Sequence, residues 1–416
     1  MSNVAIWFIV SLSIAGVLFR PKRWPEAIWA CLGALLLVVF RLISFPQAVT
    51  AVGKGVDVYL FLTGMMLLAE LARHEGVFDW LATHAVRGSR GSRARLFALV
   101  YAVGILVTTF LSNDATAVVL TPAVYAAVKK AKTEALPYLF VCAFIANAAS
   151  FVLPISNPAN LVVYENNIPP LFSWLRLFAV PSALSIGATF FILRYAWRKD
   201  LQGAVEREVI AARLTPAGQR AAWGLAFTGL VLIAASALDR NLGLPTCVAA
   251  AIAVLVATRA RGKALGVMLR EVSWSVIPLV AGLFVLVEGL NNAGALDYAG
   301  DALRALTVMP RQVAALLGSF GAAILSNLMN NLPSGLLTGS AAHTGQVPAY
   351  IHHALLLGVD LGPNLSVTGS LATILWLIAL RREGEHVSGW QFLKLGLFVM
   401  PPSLLLATLG LTFFAR

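Results

Sequence analysis

Long apolar runs alternate along the chain with short polar and basic stretches. Ten of the runs are long enough to cross the ~30 Å hydrocarbon core of a bilayer as helices. They cover residues 4–19, 27–43, 56–72, 135–152, 174–193, 222–238, 245–258, 274–290, 354–380 and 391–414. The first run has neither a basic segment before it nor a small-residue cleavage site after it, so we interpret it as a span and not as a signal peptide. The pattern predicts an all-α polytopic membrane protein with ten transmembrane helices.

Two further apolar segments, residues 95–128 and 312–340, are each interrupted near the middle by polar residues or proline. Basic residues lie on both sides of the first segment, whereas few lie on either side of the second. Lys and Arg concentrate in cytoplasmic loops, so the first segment should enter and leave on the cytoplasmic side. We therefore predict two re-entrant hairpins, with tips at Ser112–Asp114 and Asn330–Pro333. Their non-helical backbone must be buried in protein or line a cavity.

The same pattern of residues occurs twice in the chain, at a spacing of 218 positions. The identical pairs are Gly64 and Gly282, Leu68 and Leu286, Glu70 and Glu288, Gly76 and Gly294, Asp79 and Asp297, and Asn113 and Asn331. Thr116 and Ser334 form a conservative pair in the same register. A repeat of this size in a membrane chain is typical of secondary transporters, which are built from two related halves.

Each half contains five predicted spans and one hairpin, and because five is an odd number the halves should have opposite topology. The first repeat is residues 1–197 (spans 1–5, hairpin 95–128, broken helix 135–165), and the second is residues 221–416 (spans 6–10, hairpin 312–340, broken helix 354–380). Residues 198–220 form a charged cytoplasmic connector, which we expect to be an exposed helix. The Lys and Arg distribution places both termini on the outer (periplasmic) side of the cell inner (plasma) membrane.

The fourth span of each half is interrupted by polar residues and proline. In the first half, Pro154 and Pro158 should unwind the helix near mid-membrane, because proline lacks a backbone donor and clashes with the preceding turn. The matching interruption in the second half runs from Asp360 to Thr373. Unwound backbone exposes carbonyls and opposed helix ends, which bind polar solutes or cations. We expect the two hairpin tips and the two broken helices to meet at one polar pocket.

At these four motifs the sequence resembles the ion transporter superfamily, and most closely its ArsB-type arsenite and antimonite efflux proteins. The motifs are LSNDATAVVLTP at 111–122, ANAASFVLPISNPANLVVY at 146–164, NNLPSGLLT at 330–338 and GVDLGPNLSVTGSLATILW at 358–376. The resemblance extends over essentially the whole chain. It implies export of trivalent arsenic as the neutral trihydroxide, driven by the electrochemical gradient, with a soluble ATPase subunit in some members. It also implies an elevator motion of the hairpins and broken helices.

The polar side chains of the motifs suit such a substrate. Arsenite is an uncharged triol at neutral pH, so hydroxyls, amides and carbonyls can replace its water. The predicted substrate-binding residues are Asn113, Thr116, Asn157, Asn160, Asn331, Ser334, Asn364, Thr368, Ser370 and Thr373. The motifs contain no Lys or Arg, which argues against an anionic substrate, although amides and helix termini also bind carboxylates.

Asp114 and Asp360 are the predicted proton-coupling residues. Each lies in a polar break, and a carboxylate at the bilayer centre costs roughly 2.5–3.5 kcal/mol on insertion scales. We hypothesise that one or both take up and release protons, so that inward proton flow drives arsenite out. The alternative is that they cap helix termini, as Asp often does. For Glu70 and Glu288 a structural role is favoured, because each lies shortly before a GxxD turn.

Composition and the remaining candidate residues narrow the class of protein. Hydrophobic residues make up 59% of the chain, and the net charge of +12 comes from loops between spans, which indicates a lipid-embedded protein without nucleic acid. The cysteines lack metal-ligand spacing and are interpreted as buried small hydrophobic residues: Cys31, Cys142 and Cys247. The histidines are expected in loops or at span ends, with the 352–353 pair at an outer entrance. No enzymatic motif is present, and we expect no cofactor and no bound metal.

The main alternative on the same architecture is a sodium-coupled importer of a dicarboxylate or similar anion, or a sodium/proton antiporter. Unwound carbonyls beside Asn113, Asn157 and Asn331 would be reasonable sodium ligands. The two functions differ in an observable way, because arsenite tolerance would reveal the first and sodium-dependent uptake the second.

Overall fold

The apolar runs form helices throughout the part of the chain that the structure, a computed structural model, describes: residues 2–164, 167–206, 213–259 and 262–414. The helices of the first half are α1 (Ser2–Phe19), α2 (Glu26–Val39), α3 (Phe45–Lys54), α4 (Val56–His74), α5 (Val77–Gly88), α6 (Arg93–Phe110), α7 (Thr121–Lys130), α8 (Leu136–Ala148), α9 (Pro158–Tyr164) and α10 (Leu171–Ala196). Those of the second half are α11 (Pro216–Ala237), α12 (Gly243–Thr258), α13 (Gly262–Glu271), α14 (Val276–Asn292), α15 (Ala295–Leu306), α16 (Arg311–Met329), α17 (Asn331–Thr344), α18 (Ala349–Leu361), α19 (Leu371–Arg382) and α20 (Gly389–Phe414).

The helices follow one another in the same order in both halves, so that α1–α10 correspond to α11–α20. Helices α5 and α15 are both 12 residues long, α8 and α18 are both 13, and α10 and α20 are both 26. The chain turns into α5 at Gly76 with φ 72° and into α15 at Gly294 with φ 78°. Only glycine adopts this left-handed backbone at no steric cost, which explains why both halves have glycine there.

By length and composition, fewer than ten of the described helices qualify as membrane spans. Within the described residues, six helical stretches are long and apolar enough: α6, α10, α11, residues 265–292, α16 and α20. Helices α3 and α4 meet at a bend of 49° and form a seventh if they are counted as one span. Helices α1, α2, α8 and α12 are apolar but shorter. The structure therefore confirms an all-helical multi-pass membrane protein, but it does not confirm ten spans.

The shortfall in spans has physical causes in the sequence. The predicted fourth spans are divided, because α8 ends at Ala148 before Pro154 and α18 ends at Leu361 before Pro363. Short 3-10 turns at 154–156, 362–364 and 367–369 lead from these ends to α9 and α19. By length alone, the predicted hairpin arms α6 and α16 reach across a membrane, so the re-entrant arrangement stays a prediction.

Each predicted hairpin does turn back on itself. In the first hairpin α6 ends at Phe110, and residues 115–120 form a π-helical turn, a rare geometry that often marks functional sites. The hydroxyls of Thr108 and Thr116 bond across the turn at 2.8 Å. In the second hairpin the chain reverses at Asn330, whose φ is 79°, and the hydroxyl of Ser334 donates to Ala322 O at 3.5 Å. The matched residues Thr116 and Ser334 lie near the start of the two folded-back arms.

The two halves are packed into each other. Helix α4 packs against α12, and α2 packs against α14. A Cβ on Gly64 would lie 2.8 Å from the backbone of Thr246, and a Cβ on Gly282 would lie 2.8 Å from the backbone of Ala30. The matched glycines therefore allow the same close approach of helix backbones in both places. Helices α10 and α20 pack against each other.

Residues 198–206 of the connector do not form the exposed helix that the sequence predicted, whereas residues 216–220 belong to α11. Residues 198–206 form turns that lie against the base of the first hairpin. Val205 N donates to Gly91 O at 2.9 Å, and Glu206 N donates to Ala131 O at 3.1 Å. Residues 207–212 of the predicted helix lie outside the described residues. These two hydrogen bonds pair backbone N–H groups of the connector with carbonyls on both flanks of the first hairpin, which favours this path over a helix.

Candidate substrate site

A buried hydrogen bond joins the two broken helices. Asn157 Nδ2 donates to Asp360 Oδ1 at 2.7 Å. Asn157 lies in the unwound stretch of the first broken helix, and Asp360 lies near the end of α18 in the second. The side chain of Asp360 is 0% exposed. Two predicted site residues from different halves of the chain are thus in direct contact.

A second link connects α8 with the other break. Asn147 Nδ2 donates to Asn364 Oδ1 at 3.0 Å, and Asn364 Nδ2 donates to Phe144 O at 3.1 Å. Asn364 was predicted as a site residue, whereas Asn147 was not assigned a binding role. The sequence signal for Asn147 was its position at the end of an apolar run, just before the polar break.

Ser150, which sequence reasoning also missed, lies among these contacts. Its hydroxyl donates to Asn147 O at 2.8 Å. Its carbonyl accepts from Asn160 Nδ2 at 2.9 Å. Three buried oxygens of these site residues have no hydrogen-bond donor among the described residues: Asn147 Oδ1, Asn160 Oδ1 and Asp360 Oδ2. We call them the acceptor cluster; each such atom costs about 1–3 kcal/mol when it stays unpaired.

The amide of Asn160 fixes the unwound backbone of the first break. Its Nδ2 donates to three carbonyls, those of Ser150, Leu153 and Pro154, at 2.9, 3.3 and 3.2 Å. Turning the amide over would place oxygen against all three carbonyls, so the hydrogen bonds determine its orientation. The Oδ1 atom of Asn160 is therefore directed away from these carbonyls and stays available as an acceptor.

The second half of each broken helix begins with a side-chain cap. Asn157 Oδ1 accepts from Ala159 N at 3.0 Å at the start of α9. Ser370 Oγ accepts from Thr373 N at 3.1 Å at the start of α19, and the two hydroxyls lie 2.8 Å apart. Asn and Ser are strong N-cap residues. Three predicted site residues thus have a local structural task, and Asn157 combines it with the bond to Asp360.

Each break is also attached to the first arm of the hairpin in its own half. Ser156 Oγ donates to Thr109 O at 3.1 Å, and Thr368 Oγ1 donates to Asn327 O at 3.1 Å. Positions 109 and 327 are separated by the same 218 residues as the identical pairs. Asn327 also donates to Gly362 O at 2.8 Å. Asn327 was missed, although a lone amide one turn before the hairpin tip was a usable signal.

The residues at the hairpin tips form hydrogen bonds within their own hairpins. Asn113 is buried, and its Oδ1 accepts from Asp114 N at 2.9 Å. No described residue forms a hydrogen bond with the half-buried carboxylate of Asp114. Asn331 is buried at the start of α17. The structure thus joins the broken helices to each other, but it does not join the predicted tip residues to them by hydrogen bonds among the described residues.

The folded-back arms instead pack against the broken helix of the opposite half. Residues 115–120 pack against α19, and α17 packs against α9. A Cβ on Gly339 of α17 would lie 2.4 Å from Val163 O of α9. Beside the second tip, a cavity of about 10 Å³ is lined by Asn330, Pro333 and Leu371, among others. It has room for about one water molecule.

The ion pairs near the matched glutamates lie outside this polar region. Lys54 Nζ lies 3.0 Å from Glu288, and Arg73 Nε lies 3.1 Å from Glu70. Glu271 also pairs with Arg73. Each matched glutamate therefore has a cationic partner, which supports the structural role expected for both.

His352 and His353 lie near the start of α18, and they contact the end of α9. Among the described residues, no group of three His, Cys, Asp or Glu side chains could hold a metal ion. Cys142 is buried as expected, whereas Cys31 is exposed and Cys247 is partly exposed. Cys31 Sγ donates to Pro278 O at 3.2 Å between α2 and α14.

Known proteins resemble this chain over nearly its whole length. The citrate transporter family model matches residues 7–358. An arsenical pump membrane protein of Escherichia coli is 29% identical over 415 residues, which cover 95% of each chain. A protein of the same name from Yersinia enterocolitica is 29% identical and covers 96% of this chain and 94% of its own. The resemblance to ArsB-type proteins that the motifs indicated is thereby confirmed.

Solved structures show the same fold at lower sequence identity. The YdaH transporter of Alcanivorax borkumensis superposes with a TM-score of 0.59 at 16% identity and covers 92% of this chain and 96% of its own. MtrF of Neisseria gonorrhoeae gives a TM-score of 0.53 at 13% identity, with 91% and 83% covered. The family and these relatives are membrane transporters and not enzymes. The chain belongs to the citrate transporter (CitMHS) family of multi-pass membrane transporters.

Proposed function

We propose that the protein exports arsenite, as the neutral trihydroxide of As(III), and antimonite from the cytoplasm, and that inward proton flow drives this export. The full-length similarity to arsenical pump membrane proteins supports an arsenical substrate. The acceptor cluster of Asn147, Asn160 and Asp360 carries the proposal. Its three oxygens are buried and have no hydrogen-bond donor among the described residues, and the motifs that contain them have no Lys or Arg.

The chemistry of the acceptor cluster suits a triol. As(III) trihydroxide offers three hydroxyl donors, and the cluster offers three buried oxygen acceptors on residues at or beside the two breaks. A ligand that pairs these oxygens removes a cost of about 1–3 kcal/mol for each. A carboxylate substrate would instead place negative charge against carbonyl oxygens and Asp360 without a cationic partner.

Asp360 offers a simple means of coupling. When Asp360 is ionised, its Oδ2 accepts a hydroxyl of the substrate; when Oδ2 carries a proton, it becomes a donor and that acceptor is lost. Proton and arsenite then compete for one atom, which is what an antiporter with a shared site requires. Asp114 remains the second candidate for proton coupling.

The transport cycle is expected to use an inverted pair of repeats, residues 1–197 and 221–416, on either side of the connector 198–220. The matched helix order and the matched glycine contacts support the pairing. We place both termini on the periplasmic side of the inner membrane and the two hairpins as re-entrant elements. Because the polar groups at the breaks contact one another, substrate binding requires the broken helices to separate there.

Everted membrane vesicles from cells that lack arsenite efflux test the function directly. Wild-type vesicles should accumulate arsenite when they are energised and lose it when the proton gradient is collapsed. Asp360→Asn should reduce gradient-driven uptake by about 10²-fold or more, as expected for removal of a proton-transferring group. Asp297→Asn, on the exposed face of α15, is the matched control. If Asp114→Asn and Asp360→Asn both keep full proton-driven uptake, the coupling is wrong.

A sodium-coupled transporter of a dicarboxylate or similar anion is the second candidate, since unpaired oxygens are also ligands for a hard cation. The family name supports an anionic substrate. Sodium-dependent uptake of citrate or a dicarboxylate into vesicles, with no change in arsenite tolerance, would establish this function in place of arsenite export.

A further inference from the structure

We propose that a basic cavity beside the end of α10 binds an anionic phospholipid through its phosphate. The cavity has a volume of about 410 Å³ and lies between the end of α10 and the start of α6. This volume falls in the range of about 300–1,000 Å³ that is typical of small-ligand sites. The lining residues lie outside the two breaks, so the site is separate from the substrate site and does not depend on the transported solute.

Two arginines give the cavity its positive charge. Arg194 lies in the last turn of α10, Arg198 follows one turn later, and both line the cavity. Lys132, a basic residue at the base of the first hairpin, is neutralised by Glu206 at 2.9 Å. Within the described residues, by contrast, neither arginine forms an ion pair, and the exposed Asp200 does not line the cavity. The charge of the two guanidinium groups is therefore available to an anion.

Arg198 is held in position on the wall of the cavity. Its Nη1 donates to Tyr195 O at 3.0 Å, and its guanidinium lies 4.1 Å from the centre of the Tyr195 ring. The first contact also covers a carbonyl at the carboxyl end of α10, where the helix dipole would otherwise repel an anion. A guanidinium has five N–H donors in a fixed fork that fits phosphate oxygens, so this one bond leaves most of the donors for a ligand.

The start of α6 forms another wall of the cavity. Ala94, the second residue of α6, lines it, and the N–H groups of the first helical turn have no acceptor within the helix. Arg93 N donates to Gly203 O and Arg95 N to Ser92 Oγ, whereas Ala94 N has no acceptor among the described residues. The positive end of the α6 dipole therefore adds to the charge of the two arginines.

The apolar lining favours a lipid over a free anion. Phe191 and Tyr195 line the cavity one turn apart on α10, and they are 69% and 67% exposed. Helix α10 is long and apolar enough to cross a membrane, and only 28% of its most apolar stretch is buried in the protein, so its exposed face contacts acyl chains. Tyrosine is common at the boundary between membrane and water. A phospholipid satisfies both parts of the cavity, with its phosphate at the arginines and its chains along Phe191.

The predicted orientation brings the cavity to the membrane surface that carries the most negative charge. The Lys and Arg distribution predicts that α10 ends on the cytoplasmic side. The cytoplasmic leaflet is negatively charged, and basic pockets between transmembrane helices on that side bind anionic headgroups. We therefore expect the occupant to be a glycerophospholipid with net negative charge and not a zwitterionic one.

A lipid in the cavity would also connect three segments of the chain. Gln202 of the connector lines the cavity together with residues of α6 and α10. Arg93 of α6 already donates to Asp200 O and Ala204 O of the connector, at 3.3 Å in each case. A headgroup bound by the two arginines would add contacts at this junction. Because such a ligand binds the folded state and not the unfolded state, it should stabilise the protein.

Native mass spectrometry of the protein in a mild detergent, with phosphatidylglycerol added, tests the site. The variant that combines Arg194→Gln and Arg198→Gln should retain one phosphatidylglycerol fewer than wild type, because loss of both charges weakens binding at this site by about tenfold or more. The combination of Arg87→Gln and Arg90→Gln is the matched control, since these exposed arginines are predicted near the same membrane face but do not line the cavity. Equal retention by the first variant and wild type, or an equal loss in the control, would overturn the proposal.

Thermal unfolding separates a phospholipid from a free anion as the occupant. Phosphatidylglycerol should raise the Tm of wild type and of the control variant by more than it raises the Tm of the Arg194→Gln, Arg198→Gln variant, and phosphatidylcholine should raise none of them comparably. Inorganic phosphate and glycerol 3-phosphate should also have little effect, because they lack acyl chains. An equal increase with inorganic phosphate, or no increase with phosphatidylglycerol, would refute the phospholipid. No transported solute is present in either assay, so failure of this proposal is distinguishable from failure of the proposed function.

Discussion

The hydrogen bond between Asn157 and Asp360 predicts a specific difference between two caps that correspond in the two halves. Asn157→Ala removes the cap of α9, which costs about 1 kcal/mol, and it also removes the donor at 2.7 Å from Asp360. A buried polar group left without its partner costs a further 1–3 kcal/mol or so, and more if it is charged. We expect Asn157→Ala to lower the free energy of unfolding by about 2–4 kcal/mol.

Ser370→Ala is the matched control. It removes the cap of α19, where Ser370 Oγ accepts from Thr373 N, but it breaks no bond to the other half. Its expected cost is about 1 kcal/mol. Asn157→Ser should restore the cap of α9 without restoring the link to Asp360, and so should recover about 1 kcal/mol relative to Asn157→Ala.

Reversible unfolding in mixed detergent micelles, titrated with a denaturing detergent, measures all three free energies on one scale. The difference between Asn157→Ala and Ser370→Ala then reports the link between the halves. If Asn157→Ala costs no more than Ser370→Ala, the bond to Asp360 contributes nothing to stability and the reasoning from its geometry is refuted.

Three further predictions follow from single contacts. Gly339→Ala should lower the free energy of unfolding by about 1–3 kcal/mol, because its Cβ would lie 2.4 Å from Val163 O, whereas Gly321→Ala, with open space around it, should be neutral or stabilising in a thermal-unfolding assay. The hydrogen bond and charge of Glu206 raise the pKa of Lys132, so Glu206→Gln should lower that pKa in an NMR titration of labelled lysines, and an unchanged value would show the pair to be absent in solution. A variant with alanine at all three cysteines should still confer arsenite tolerance; complete loss would make a thiol part of the site.

The sequence was most informative where backbone chemistry decides the structure. Pro154 and Pro363 located the two breaks, because proline cannot continue a helix. The matched Gly76 and Gly294 located two turns, since both have the positive φ that favours glycine. These signals are local, so they can be read without knowing which helices become neighbours.

The partners of the polar side chains could not be predicted in this way. Asn157 contacts Asp360 across 203 residues of sequence, and no local pattern specifies that pairing. Asn327 lies in an apolar helix, and its hydrogen bond to Gly362 O in the second break depends on how α16 packs against residues 362–369. The structure does not confirm ten spans for a related reason, because an apolar run such as 27–43 extends beyond the end of its helix, α2, at Val39.

Helices of the first half pack against helices of the second half, and this has a consequence for the order of folding during synthesis. Helix α2 packs against α14, and α4 packs against α12, with Gly282 and Gly64 at the contacts. When the ribosome has completed the first half, α2 and α4 have been inserted, but the surfaces that will cover them have not yet been translated. Packing of the first half is therefore completed only after the second has been made, and until then the faces of α2 and α4 around Ala30 and Gly64 lack their partner helices.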